Sequence, residues 1–87
     1  MTYRVDILPS ARRELAALPL KDRTRVDKRI LSLGENPRPV GSKKLTDEDD
    51  LYRLRIGDYR VIYQVQDKVL LVLVVKIGNR REVYRKR

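Results

Sequence analysis

Residues 52–63, Tyr-Arg-Leu-Arg-Ile-Gly-Asp-Tyr-Arg-Val-Ile-Tyr, constrain the fold more than any other stretch of this chain. Two alternating runs flank Gly57-Asp58, the pattern of a β-hairpin with a two-residue loop. Glycine at the first loop position suits a II′ turn. Such a loop sets the register: Ile56 opposite Tyr59, Arg55 opposite Arg60, Leu54 opposite Val61, Arg53 opposite Ile62 and Tyr52 opposite Tyr63. Side chains alternate between the faces of a strand. One face therefore carries Tyr52, Leu54, Ile56, Tyr59, Val61 and Tyr63, read as core, and the other carries Arg53, Arg55 and Arg60. Arg55 and Arg60 then stand directly opposed, a like-charge pairing that weakens a sheet. A local rule broken this plainly points to a purpose other than stability. The matching ligand is a polyanion.

Charge supports that ligand. The net charge is +9, which favours an acidic partner. It is unevenly placed: residues 1–50 hold eleven basic and nine acidic side chains, whereas residues 51–87 hold ten basic and three acidic. A merely solubilising surface accounts for the first half and not the second. The basic residues lie on a strand face and a tail rather than on an amphipathic helix, so nucleic acid is favoured over anionic membrane.

Other classes drop out. With no cysteine and no histidine, disulfides and histidine acid–base catalysis are excluded, and zinc, iron and copper sites lose their usual ligands. No cofactor is expected. Met1 leads into an alternating strand rather than an export signal. The longest apolar run, Val69 to Val75, is too short to span a bilayer. A soluble cytoplasmic protein without a membrane partner is expected. At 87 residues the chain makes one small domain, 1–87.

Tyr3 to Leu8 alternates and reads as a first strand. Pro9 and Ser10 open a short helix with stripe Ala11, Leu15 and Leu18, Ser10 being available as its cap, and Pro19 stops it. A second helix runs from about Lys21 to Leu33, with Val26, Ile30 and Leu33 facing in and Arg23, Arg25, Lys28 and Arg29 mostly facing out. Gly34 and Asn36-Pro37 end it. Residues 39–42 are a loop, Lys43 to Leu45 forms at most a short edge strand, and residues 47–50 make an acidic turn. After the hairpin, Val69 to Val75 is apolar without alternation, as a covered central strand would be, with Lys76 marking its end and Gly78-Asn79 closing it. Residues 80–87 are a short basic tail or helix. The class is α+β: an N-terminal strand and a two-helix hairpin packed on one face of a small, mostly antiparallel sheet of about four strands. The arginine face is open unless the tail folds over it.

The stretch from Leu51 to Tyr63, the apolar strand after it, and Gly-Asn-Arg-Arg-Glu-Val-Tyr-Arg at 78–85 resemble the RelE/ParE toxin superfamily, on the RelE side. The opening strand, the helical pair ending in Glu35-Asn36-Pro37, and Lys43-Lys44-Leu45 extend the resemblance over nearly the whole chain. It implies a bacterial or archaeal toxin neutralised by a RelB-like antitoxin that wraps around it. It further implies a metal-independent endoribonuclease that cuts mRNA in the ribosomal A site through the 2′-hydroxyl. The family's working residues fall on Arg53 and Arg55, on Arg60, on Arg80 with Arg81 the competing assignment, and on Tyr84. Arg81 and Arg85 are expected to bind RNA.

The chain departs from the family at the alternating pair, where well-known members have lysines. Arginine, with a pKa above about 12, cannot accept a proton. The base role passes by elimination to Tyr84, whose phenolate nearby cations would favour. Arg55 and Arg60 are then expected to clamp the scissile phosphate, Arg53 to hold the same phosphate or a neighbour, and Arg80 to stabilise or protonate the leaving oxygen. Two other functions stay open: a ParE-like toxin that binds DNA gyrase without nuclease chemistry, and a non-catalytic RNA-binding module.

Overall fold

The chain runs β1 (Arg4–Ile7), α1 (Pro9–Ala16), α2 (Leu20–Ser32), β2 (Ser42–Thr46), β3 (Leu51–Ile56), β4 (Tyr59–Gln66) and β5 (Leu71–Asn79), with a 3₁₀ turn at Asp67–Val69. These elements are those of a computed structural model that describes residues 2–46 and 50–79. The strands form one sheet in the order β1-β5-β4-β3-β2. Its β2–β3, β3–β4 and β4–β5 ladders are antiparallel, and β1 lies parallel to β5. That is the expected α+β arrangement with five strands rather than about four. The fifth is β2, longer than the short edge strand expected at most over Lys43 to Leu45; it pairs Ser42 with Leu54, Lys43 with Arg53 and Lys44 with Tyr52 before a bulge. Its sequence carries no periodic signal. What recruits it is the outer edge of β3, whose backbone donors and acceptors need partners.

Both helices begin at prolines for a local reason. Pro9 occupies the first turn of α1, where its missing N–H costs nothing, and Pro19 is the residue from which α2 starts. Leu8 rather than Ser10 is the N-cap of α1, and no side chain caps it. The inward stripes are as the spacing predicts: Ala11 and Leu15 from α1, and Val26, Ile30 and Leu33, are buried against Leu54, Val61, Tyr63, Val65, Val72 and Val74 of the sheet. Leu18 is only partly buried. The helices therefore cover one face, and alternation sends Arg53, Arg55 and Arg60 to the other.

The last strand departs from expectation at both ends. Val69 is exposed in the 3₁₀ turn, and Leu70 adopts a left-handed conformation (φ 53°) before β5 begins at Leu71. A non-glycine residue there costs about 1–2 kcal/mol, and neither glycine nor asparagine advertises the turn in the sequence. Side-chain bonds secure it instead. Asp67 receives both terminal nitrogens of Arg38, at 3.2 and 2.7 Å, and the Tyr3 hydroxyl at 2.6 Å. At the far end β5 runs through Gly78 and Asn79 instead of closing there, and Lys76 lies within it.

Candidate functional site

All five cross-strand pairs deduced for the hairpin are present, Arg55 opposite Arg60 among them. Gly57 has φ +60°, whereas Asp58 is not in the left-handed region, as a II′ turn requires. A Cβ at residue 57 would meet the Arg25 guanidinium at 3.1–3.3 Å, so this side chain of α2 lies against the turn. One helical turn away, Asp22 accepts a hydrogen bond from the Tyr59 hydroxyl at 2.8 Å. That bond keeps the Tyr59 phenol protonated to higher pH than usual. Tyr59 is consequently half-buried with an engaged hydroxyl rather than part of the dry core.

The three arginines occupy different environments. Arg55 is exposed and Arg53 half-buried, its Nε out of solvent with no hydrogen-bond partner among the described residues. Arg60 has no exposed surface and is engaged within the fold. This differs from the open arginine face expected from the hairpin alone. Along β4 burial alternates regularly from Val61 onward, and Arg60 is the residue that breaks it. Taking a guanidinium out of water strengthens its field on an anion beside it.

A fourth cation joins this face. Lys43 of β2 stands directly opposite Arg53, so adjacent strands present a second like-charge pair beside Arg55–Arg60. Sequence reasoning missed it because Lys43 acquires a face only once β2 is paired. With strands about 4.8 Å apart and alternate residues about 6.6 Å apart, Lys43, Arg53, Arg55 and Arg60 form a cationic track across three strands. Each arginine fork matches two phosphate oxygens.

The opposite end of the β3–β4 pair is braced by tyrosines. The Tyr52 and Tyr63 rings stack with centroids 5.8 Å apart, and Arg38 lies over Tyr52 at 5.2 Å while donating to its hydroxyl at 2.8 Å. Tyr63, fully buried, donates to the Pro37 carbonyl at 2.8 Å, and burial raises its pKa. The bonds from Arg38 and Tyr3 hold the Asp67 carboxyl below the usual carboxylate range. The same carboxylate pushes the Tyr3 phenol and the Arg38 guanidinium up. These groups fix the frame on which the arginines sit.

Of the remaining sequence-predicted residues, Arg80, Arg81, Tyr84 and Arg85 lie outside the described residues, as does most of the acidic turn, 47–49. The described chain stops at Asn79, opposite Tyr59, with Gly78 opposite Arg60.

Two helices on a five-stranded sheet with a cationic hairpin face describe a class of small toxin. The sequence model of the family described as ParE toxin of type II toxin–antitoxin system, parDE, matches residues 5–84. The chain belongs to this RelE/ParE toxin family, on its RelE-like branch. It is 34% identical to the mRNA interferase toxin RelE of Escherichia coli K12, over 97% of this chain and 92% of that one. The RelE–RelB complex of the archaeon Pyrococcus horikoshii contains a chain 38% identical, with a TM-score of 0.82 over 92% of this chain and 97% of that one. The isolated E. coli RelE toxin is 31% identical, with a TM-score of 0.77 over 97% and 93%.

Proposed function

We propose that this toxin is a ribosome-dependent mRNA endonuclease of the cytoplasm, held inactive by a RelB-like antitoxin that wraps around it. The observation that carries the reading is the direct opposition of Arg55 and Arg60, with Arg53 and Lys43 on the same face. The names of its relatives support the activity and the antitoxin. Cleavage proceeds through the RNA itself: the 2′-hydroxyl loses its proton, its oxygen attacks the adjacent phosphorus, and the 5′-oxygen leaves and is protonated. The products are a 2′,3′-cyclic phosphate and a 5′-hydroxyl end.

In this scheme the exposed Arg55 grips the scissile phosphate, and Arg60, buried opposite it, adds its field to stabilise charge on the phosphorane, a contribution that is often the largest in such catalysis. Arg53 and Lys43 hold a neighbouring phosphate. Arg80, with Arg81 the alternative, stabilises the leaving oxygen. Tyr84 is the base, since arginines stay protonated, and Arg81 and Arg85 add RNA contacts.

Expression in growing cells with mapping of mRNA 5′-hydroxyl ends tests the reading. Cleavage inside translated codons is expected; Tyr84→Phe should abolish it and Arg55→Gln should lower it on the order of 10²-fold, each with the fold retained. The matched family description favours one alternative, a ParE-like toxin that poisons DNA gyrase by binding. Growth arrest with intact mRNA and trapped DNA breaks would establish it instead.

A further inference from the structure

β1 pairs with β5 only as far as Val74, where the Leu8 N–H donates to the Val74 carbonyl at 2.9 Å and the chain turns into α1. Beyond that point β5 bulges. Tyr63 pairs with Val74 but Ile62 pairs with Lys76, which leaves Val75 as the extra residue. A bulge re-aims the strand that follows it, and residues 76–79 keep β4 on one edge while β1 no longer lines the other. Glu14 of α1 meets that edge. Its Oε1 accepts the Ile77 backbone N–H at 2.8 Å and its Oε2 accepts Lys76 Nζ at 2.7 Å. One helix carboxylate takes the backbone donor that a longer β1 would have satisfied.

What this segment carries is the end of the site. Gly78 stands opposite Arg60 and Asn79 opposite Tyr59. We propose that Glu14 is a positioning residue for the cationic face: by holding Ile77 and Lys76 it sets where β5 past its bulge lies against β4, and with it the placement of Arg60 beside Arg55. The inference rests on the endonuclease reading. Within it the two bonds are unequal. The Glu14–Lys76 ion pair is between partly exposed groups (31% and 45% side-chain exposure), where such pairs contribute little. The backbone bond sets the geometry, and a neutral amide at position 14 can still accept it.

The test is single-turnover cleavage of a defined mRNA on programmed ribosomes, with hydrogen exchange at the Ile77 and Val72 amides followed in parallel. Glu14→Ala should lower the rate constant on the order of 10²-fold, as a misplaced catalytic group does, and shift half-saturation less than about threefold. The Ile77 amide should lose protection while Val72 keeps its own. Glu14→Gln should recover the rate to within about fivefold, and Lys76→Met should stay within about twofold of wild type. A wild-type rate in Glu14→Ala overturns the inference. So does a Glu14→Gln variant as slow as Glu14→Ala, or a loss of rate accompanied by loss of Val72 protection. A wild-type chain that cuts no ribosome-bound mRNA overturns the endonuclease reading itself, which an active wild type with an indifferent Glu14→Ala leaves standing.

Discussion

Removing one arginine from the hairpin face should make this protein more stable while it loses activity. In Arg55→Gln the exposed member of the opposed Arg55–Arg60 pair is neutralised. With guanidinium charges about 7 Å apart, a little beyond the Cβ spacing of an opposed pair, repulsion is about 2.4 kcal/mol at an effective dielectric of about 20 and about 0.6 kcal/mol in bulk water. A Debye length of about 8 Å at physiological salt cuts either value by somewhat more than half. The stabilisation is then about 0.3–1 kcal/mol, and because Arg55 is the exposed partner the lower half of that range applies. In a domain of this size that is a rise of about 2–4 °C in Tm. Thermal melts at low and high salt measure it, with the gain largest at low salt and fading as salt rises. The same variant should lose on the order of 10²-fold in mRNA cleavage, having lost one fork on the phosphate. A lower Tm at low salt, or a gain indifferent to salt, would falsify the claim that this pairing trades stability for anion binding.

Three further outcomes follow from the same geometry. Tyr63→Phe removes a buried hydroxyl that donates to the Pro37 carbonyl and should cost about 1–2 kcal/mol, read as a lower urea midpoint with an unchanged slope. Asp67 is held below the ordinary carboxylate range by Arg38 and Tyr3, so its stabilisation is fully present above the unfolded value of about 3.9 and is lost as pH falls below it. Melts of wild type and Asp67→Asn should differ by a constant amount from neutral pH down to about 5 and converge in stronger acid. Lys43→Gln should weaken RNA binding uniformly across sequences and reduce the slope of log affinity against log salt by about 0.7, the single-strand value for one phosphate contact. An unchanged slope in a filter-binding titration would remove Lys43 from the track.

Legibility in the sequence tracked how local each cause was. The hairpin could be read pair by pair because a two-residue loop with glycine at its first position leaves one register, and alternation then assigns every face. The helices were equally plain, since Ala11–Leu15 and Val26–Ile30–Leu33 keep helical spacing, Pro9 sits where the first begins and Pro19 separates the two. Less local features were hidden. The turn before β5 depends on Asp67 meeting Arg38 and Tyr3, residues 29 and 64 positions away in the chain. Strand β2 has no pattern of its own and exists because β3 offers it an edge.

The register of the cationic hairpin and its two faces can therefore be read from twelve consecutive residues. Tertiary structure alone decided that Lys43 joins Arg53, that Arg60 is withdrawn from water while Arg55 is not, and that a glutamate on the first helix accepts a backbone N–H of the strand next to β4. The physical reason is reach. Turn geometry and side-chain alternation act over a few bonds, whereas burial and cross-strand neighbours are set by segments that the chain brings together only when it folds.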